Sequence, residues 1–320
     1  MGEGQEPLVV VDNLTFTYPA IDGRPLPGVP PMVKDMNLKM YPGQCSLLLG
    51  ANGAGKTTLL KILGGKHMIP QAAVKVMGEP PFHSTGLTMS GDLAYIGGSW
   101  QRDVAFAGYN VPLQGDFSAE KMIHGIQGTD AARRDEIMEM LDINPNWRMN
   151  QVSDGQRRRV QLCVGLLKPY KVLLLDEITV DLDVLGRADL LTWLQKDAKT
   201  RGACILYATH IFDGLEGWAE SIAFVSRGKL QFHRSTKDFP EIKAEGLLHL
   251  VEKWLRVEQK IRLEELAKNP SEKKTRDQFA NNNGWGAGTL NSTLAQPKGP
   301  DGESLAFNPL NHSSNAVLRG

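Results

Sequence analysis

Apolar and polar residues alternate with period two over residues 8–18 and again over 33–40, the pattern of two half-buried strands. The connection between them holds Pro25, Pro27, Pro30 and Pro31, and reads either as a long hairpin loop or as an extended polyproline segment. Residues 45–49, 171–175 and 203–207 are short apolar runs of the kind found in parallel strands covered on both faces. Residues 222–225 and 229–232 flank Arg227-Gly228 and predict a further hairpin. Helical character follows the first apolar run over 56–63. A polar, helix-like stretch over 116–141 is broken at Gly125 and Gly128 and leads through Asn144-Pro145 to Ser153. After Pro240, the residues Leu247, Leu250, Trp254, Val257 and Ile261 keep helical spacing among charges. They predict an amphipathic helix within 241–268, packed on its own domain or docking a partner. Beyond it, 269–320 is rich in Asn, Gly and Ser with almost no apolar periodicity, and reads as a disordered tail.

A chain of 320 residues has room for one large α/β domain with an appendage, or for two small domains. Its 36 basic residues balance 36 acidic ones, so nothing global draws it to nucleic acid or to an anionic membrane, and no direct nucleic-acid contact is expected. No stretch approaches the roughly 18 apolar residues that span a bilayer, so no membrane insertion is expected either. Glu3 and Glu6 stand where a signal peptide would carry a basic start, which makes the cytoplasm the expected compartment, with the nucleus also open to it. Cys45, Cys163 and Cys204 stand singly among apolar residues and read as small buried hydrophobes; an exposed redox sensor is the alternative.

The sharpest chemical signal is the run Gly50-Ala51-Asn52-Gly53-Ala54-Gly55-Lys56-Thr57-Thr58, which fits GxxxxGK[ST] between an apolar strand and a helix. Glycines let backbone N–H groups converge on phosphate oxygens at a helix N-terminus, where the partial positive charge favours an anion. Lys56 would reach the β- and γ-phosphates of a nucleotide and the Thr57 hydroxyl would ligate Mg²⁺. The second apolar run ends in Asp176-Glu177. Asp176 is the candidate for the Mg²⁺ shell and Glu177 the candidate general base for an attacking water.

Between these two elements stands Gln151-Val152-Ser153-Asp154-Gly155-Gln156-Arg157-Arg158-Arg159. It resembles the LSGGQ signature of ATP-binding-cassette ATPases, with Asp154 in place of the first glycine of its pair. The resemblance implies that Ser153, Gly155 and Gln156 bind the γ-phosphate held by an opposite cassette; Asp154 then either points away or weakens closure. It further implies that Tyr18 stacks on adenine, that Gln101 senses Mg²⁺ and the γ-phosphate, that His210 is the switch histidine and that Asp183 is the aspartate of the loop normally written SALD. ATP and Mg²⁺ are the implied cofactors. Within the family, the motif wording resembles the soluble single cassettes of the plant I family and a yeast relative linked to a deadenylase complex.

By the same resemblance, residues 8–240 form the cassette: an α/β RecA-like P-loop core, an antiparallel β subdomain and a helical subdomain over about 102–167. One cassette per chain implies a second one, a copy or a paralogue, besides an unidentified protein partner. Three roles are carried forward: a cytosolic regulatory ATPase, the nucleotide-binding subunit of a multi-subunit transporter, and an ATP-gated scaffold.

Overall fold

The computed structural model describes residues 5–19, 24–25, 28–97, 103–106, 109–112 and 117–268. Gln101 and the segment 269–320 lie outside the described residues. Residues up to Thr17 and from Val29 to Leu263 form one unit; the described parts of 18–28 and 264–268 fall to a second, in which Pro19 and Pro25 form an isolated bridge. Tyr18 belongs to this second unit and is half-buried there.

The first unit opens with β1 (Val9–Phe16) and β2 (Val33–Met40), joined antiparallel, followed by β3 (Cys45–Leu49), α1 (Lys56–Leu63) and β4 (Val74–Val76). Helix α2 (Thr85–Ser90), β5 (Leu93–Gly97), and the strands β6 (Asp103–Phe106) and β7 (Tyr109–Pro112) come next. Then follow α3 (Ala119–His124), α4 (Ala131–Met140), α5 (Asp154–Leu166), β8 (Val172–Asp176), α6 (Val184–Arg201) and β9 (Cys204–Ala208). The chain continues as β10 (Ser221–Ser226), β11 (Lys229–Ser235), α7 (Glu241–Glu245) and α8 (Leu247–Lys268).

Strands β2, β1 and β4 make a small antiparallel sheet in which every second or third residue is buried, as one-sided alternation dictates. The main sheet has the order β11-β10-β3-β9-β8-β5, parallel except for β11 at its edge. Every residue of β3, β8, β9 and β10 is buried, because these strands are covered on both faces. Register decides what meets at the carboxyl ends. Ala223, Leu48, Ala208, Asp176 and Gly97 pair in one row across five strands. The loops after β3, β8 and β9 therefore leave the sheet side by side, in the crevice where open α/β sheets bind ligands.

Two segments differ from the sequence reading. The stretch over 102–167 does not begin with a helix: β6 and β7 pair as an antiparallel hairpin before α3 starts. In α8, Leu247, Leu250 and Trp254 face the core, but Val257 is 60% and Ile261 is 40% exposed. Beyond Trp254 the apolar positions Val257 and Ile261 are exposed, so the helix is part core element and part exposed surface. All three cysteines are buried; burial pushes the Cys163 and Cys204 thiols up to about 12, and Cys45 higher still, which suits inert core residues and not redox sensors.

Candidate functional site

The loop between β3 and α1 is shaped by glycines, two of which no other residue could replace without displacement. Gly50 has φ +153°, and a Cβ there would stand 2.1 Å from the Val225 carbonyl oxygen of β10. Gly55 has φ +106°, and its Cβ would meet the Met32 carbonyl at 2.9 Å. Gly53 faces open space but also has positive φ, at +77°. The Gly228 N–H donates to Ala54 O at 3.0 Å, so the β10–β11 turn holds the far side of the loop.

Lys56, only 7% exposed, reaches back over this loop. Its Nζ donates to Gly50 O at 2.8 Å and Ala51 O at 3.1 Å, and stands 3.2 Å from His210 Nε2. Burial lowers its pKa, against the opposing fields of Glu177, Asp176 and Glu258. On the next residue, Thr57 Oγ1 donates to Asp176 Oδ1 at 3.1 Å. The other oxygen of Asp176 accepts from the Tyr95 hydroxyl at 3.1 Å. Gly97 makes room for this arrangement, since a Cβ there would lie 2.6 Å from the Asp176 Cβ and 2.7 Å from the Tyr95 hydroxyl oxygen.

Glu177 begins the loop after β8 with φ +54°, a left-handed conformation that costs a non-glycine residue about 1 kcal/mol or more. Its N–H donates to Ala208 O at 2.9 Å, and Arg158 Nη2 of α5 donates to its carbonyl at 2.8 Å. This clamp aims the side chain at His210, whose Nε2 is 3.3 Å from Glu177 Oε1. Burial raises the Glu177 carboxyl above its usual range, and the His210 N–H and Lys56 pull it partly back. Burial and the Lys56 charge lower His210, which is therefore neutral at pH 7. A single Nε2 then faces a donor, Lys56, and an acceptor, Glu177; either tautomer satisfies one of them. Lys56, Thr57, Asp176, Glu177 and His210 are thus one constellation, gathered at the carboxyl ends of the parallel strands β3, β8 and β9.

The Ser153 segment forms a separate feature. Ser153 caps α5: its Oγ accepts from Gln156 N at 3.2 Å, while its own N–H donates to Gln156 Oε1 at 3.0 Å, a complete capping box. Gly155 packs closely on the loop after β8, since a Cβ would lie 3.0 Å from Asp181 O. Asp154 is exposed and accepts from Arg157 Nη1 at 2.9 Å, so its charge is partly answered within the helix. Asp183 caps α6 by accepting from Gly186 N at 2.7 Å, and its second oxygen accepts from Arg159 at 2.6 Å. Tyr18 is described with its own unit, and Gln101 is not among the described residues.

Two participants escape sequence reasoning. Tyr95 reads as a strand aromatic and only the β5–β8 register turns it onto Asp176. Arg158 is one of three consecutive arginines, and nothing local tells that it is the buried one, bound to Glu177 O and, at 3.3 Å, to Ile178 O.

Comparison with known proteins identifies the relatives of this chain. A family model described as ABC transporter matches residues 33–180. ABC transporter I family member 20 of Arabidopsis thaliana is 53% identical over 97% of this chain and 96% of its own length. CCR4-associated factor 16 of Saccharomyces cerevisiae is 40% identical, covering 69% of this chain and 76% of its own. Among solved structures, an ATP-binding subunit of an ABC transporter superposes with TM-score 0.61 at 19% identity, over 78% of this chain and 99% of that one. A dimeric ATP-binding cassette bound to ADP and Pi gives 0.56 at 19% identity, over 71% and 98%. No helix among the described residues is long and apolar enough to cross a membrane. Shared fold, a matched family segment and identity that runs nearly end to end lead to one conclusion: the chain belongs to the ATP-binding-cassette (ABC) transporter family.

Proposed function

We propose that the chain binds MgATP through the β3–α1 loop and hydrolyses it at the interface of a cassette dimer, as a regulatory ATPase of the cytoplasm. The observation that carries this reading is the convergence of Lys56, Thr57, Asp176, Glu177 and His210 at the carboxyl ends of β3, β8 and β9. Lys56 binds the β- and γ-phosphates, exchanging carbonyl partners for anionic ones. Backbone N–H groups of residues 50–58, including Asn52, Gly53, Ala54, Gly55 and Thr58, cradle the remaining phosphate oxygens. Thr57 and Asp176 offer two hard oxygen donors 3.1 Å apart, which fits Mg²⁺. When bound, that ion draws charge from the β- and γ-phosphates. Glu177, raised above the usual carboxylate range, orients a water and takes its proton. His210 and Gln101 attend the γ-phosphate, and Tyr18 the adenine.

Ser153, Gly155 and Gln156 stand at the exposed N-terminus of the 13-residue helix α5, whose dipole suits an anion brought by another molecule. They, with Asp183, complete the site of a second cassette, and a copy or paralogue of this chain completes its own. The yeast relative is by name a CCR4-associated factor, which favours regulation through a protein partner. Membership of the plant I family, named for transport, favours the second reading, a subunit docked on separate membrane proteins.

Phosphate release tests the chemistry. Glu177→Gln is expected to lower turnover by about 10²–10⁴-fold while retaining ATP, and Lys56→Ala to lose ATP binding. Normal turnover by the first, or tight ATP binding by the second, rejects the mechanism. Proteins captured with the Glu177→Gln variant in the presence of ATP separate the two roles: polytopic membrane proteins would reject the regulatory one.

A further inference from the structure

Helix α8 lies outside the family segment 33–180, yet it bonds to the end of β10, against which the phosphate-binding loop packs. Trp254 anchors it in an aromatic cluster with Phe224, Phe232 and Phe239, at centroid distances of 5.5, 5.1 and 5.2 Å. One helical turn further, on the same face, stands Glu258. Its Oε1 accepts from Ser226 Oγ at 2.7 Å, at the end of β10. Its Oε2 is buried and has no hydrogen-bond partner among the described residues.

Ser226 is not an incidental neighbour. The preceding residue, Val225, carries the carbonyl against which Gly50 is moulded, and Gly228, two residues on, donates to Ala54. Gly228 itself fits tightly, since a Cβ would lie 2.6 Å from Met32 O. Glu258 thus grips the element that shapes both ends of the loop. A buried carboxylate oxygen without a partner is costly, and a neutral side chain of the same shape would remove the buried charge. The charge does have a counterpart: Lys56, where Glu258 joins Glu177 and Asp176 in opposing the effect of burial.

We propose that Glu258 is a positioning residue of the nucleotide site, bracing the loop through Ser226 and setting with its charge how strongly the loop attracts a triphosphate. The idea rests on the site proposed above. Through it, α8, which exposes Leu248, Val257 and Leu263, becomes an element that adjusts nucleotide affinity from outside the core cassette. Glu258→Gln keeps an oxygen acceptor for Ser226 and removes the charge. Ser226→Ala keeps the charge and removes the brace.

The test is equilibrium binding of MgATP to the full chain at two salt concentrations, with thermal midpoints recorded separately so that loss of fold is not read as loss of affinity. Glu258→Gln is expected to bind at least about threefold more tightly than wild type, most clearly at low salt. Ser226→Ala is expected to bind at least about threefold more weakly. Unchanged or weaker binding by Glu258→Gln overturns the role of the charge; unchanged binding by folded Ser226→Ala overturns the brace. If Ser226→Ala does not fold, the near-isosteric Glu258→Gln decides alone. Lys56→Ala serves as the reference: tight binding there sinks the site itself, whereas loss there with no effect of Glu258→Gln sinks only the role of α8.

Discussion

At the scale of single residues, burial and neighbouring charges together set the protonation of the site. Lys56 is kept cationic by carboxylates, Glu177 is kept basic by partial burial, and His210 is kept neutral by burial and the Lys56 charge. The sign of each shift carries a prediction about pH. Glu177 is raised, so its active, ionised form appears only above a pH higher than the ordinary carboxylate value of 4.5. Turnover should therefore fall on the acid side along a limb centred above 4.5, and Glu177→Gln should remove that limb from the residual activity. A limb that survives unchanged in the variant assigns the titration to another group. Because His210 is lowered, its protonation adds charge beside Lys56 only further into acid, and contributes no limb near neutrality.

At the scale of elements, one carboxylate ties α4 to α6, and its arginine partners reach on to the chain before β8 and the end of α5. Asp197 of α6 accepts from Arg133 Nη1 at 2.8 Å and Nη2 at 3.1 Å, and from Arg201 Nε at 2.7 Å. Arg201 also donates to Tyr170 O at 2.8 Å, and Arg133 Nε to Leu166 O at 2.9 Å. Burial works to raise Asp197, but the hydrogen bonds from Arg201 and Arg133 outweigh it and hold the carboxyl down at about 2. A lowered carboxylate stabilises the fold above its unfolded pKa, and that contribution is lost as pH falls through the folded value. Asp197→Asn should cost about 2 kcal/mol of stability at neutral pH, and should flatten the acid dependence between about pH 4 and about pH 2. Denaturant titrations of both proteins at pH 7 and pH 3 measure this; equal stability at pH 7 would show that the two arginines bring no net gain. Local sequence does not announce this network, since Arg133 and Asp197 are 64 positions apart. Helix α6 itself is not assigned from the sequence; its buried set of Leu190, Leu191, Trp193, Leu194 and Ala198 is crowded and only loosely periodic. The strands β3 and β8 and the start of α1, by contrast, are legible to within a residue or two, because a short apolar run beside a glycine loop leaves few alternatives.

At the scale of the whole molecule, the proposed mechanism requires that a P-loop and a signature helix from two cassettes, copies or paralogues, meet to complete each site. Mixing two inactive variants probes this directly. Lys56→Ala spoils a P-loop and leaves the signature intact; Gly155→Asp does the reverse. In a randomly mixed dimer population half the dimers are hybrids with one intact site of two, so about a quarter of wild-type turnover should return. No recovery at concentrations where the chains associate would reject shared sites.

Sequence alone determined the glycine loop, the Asp176-Glu177 pair and the family resemblance, because each is written in contiguous residues. Tertiary structure decided which of these residues meet. The row Ala223, Leu48, Ala208, Asp176 and Gly97 is a matter of register between strands far apart in the chain, and it alone brings His210 to Lys56 and Tyr95 to Asp176. The same holds for Arg158 under Glu177 and Glu258 under the loop. No spacing in the sequence encodes those contacts, since burial and hydrogen bonding between distant segments are settled only when the sheet and its covering helices assemble.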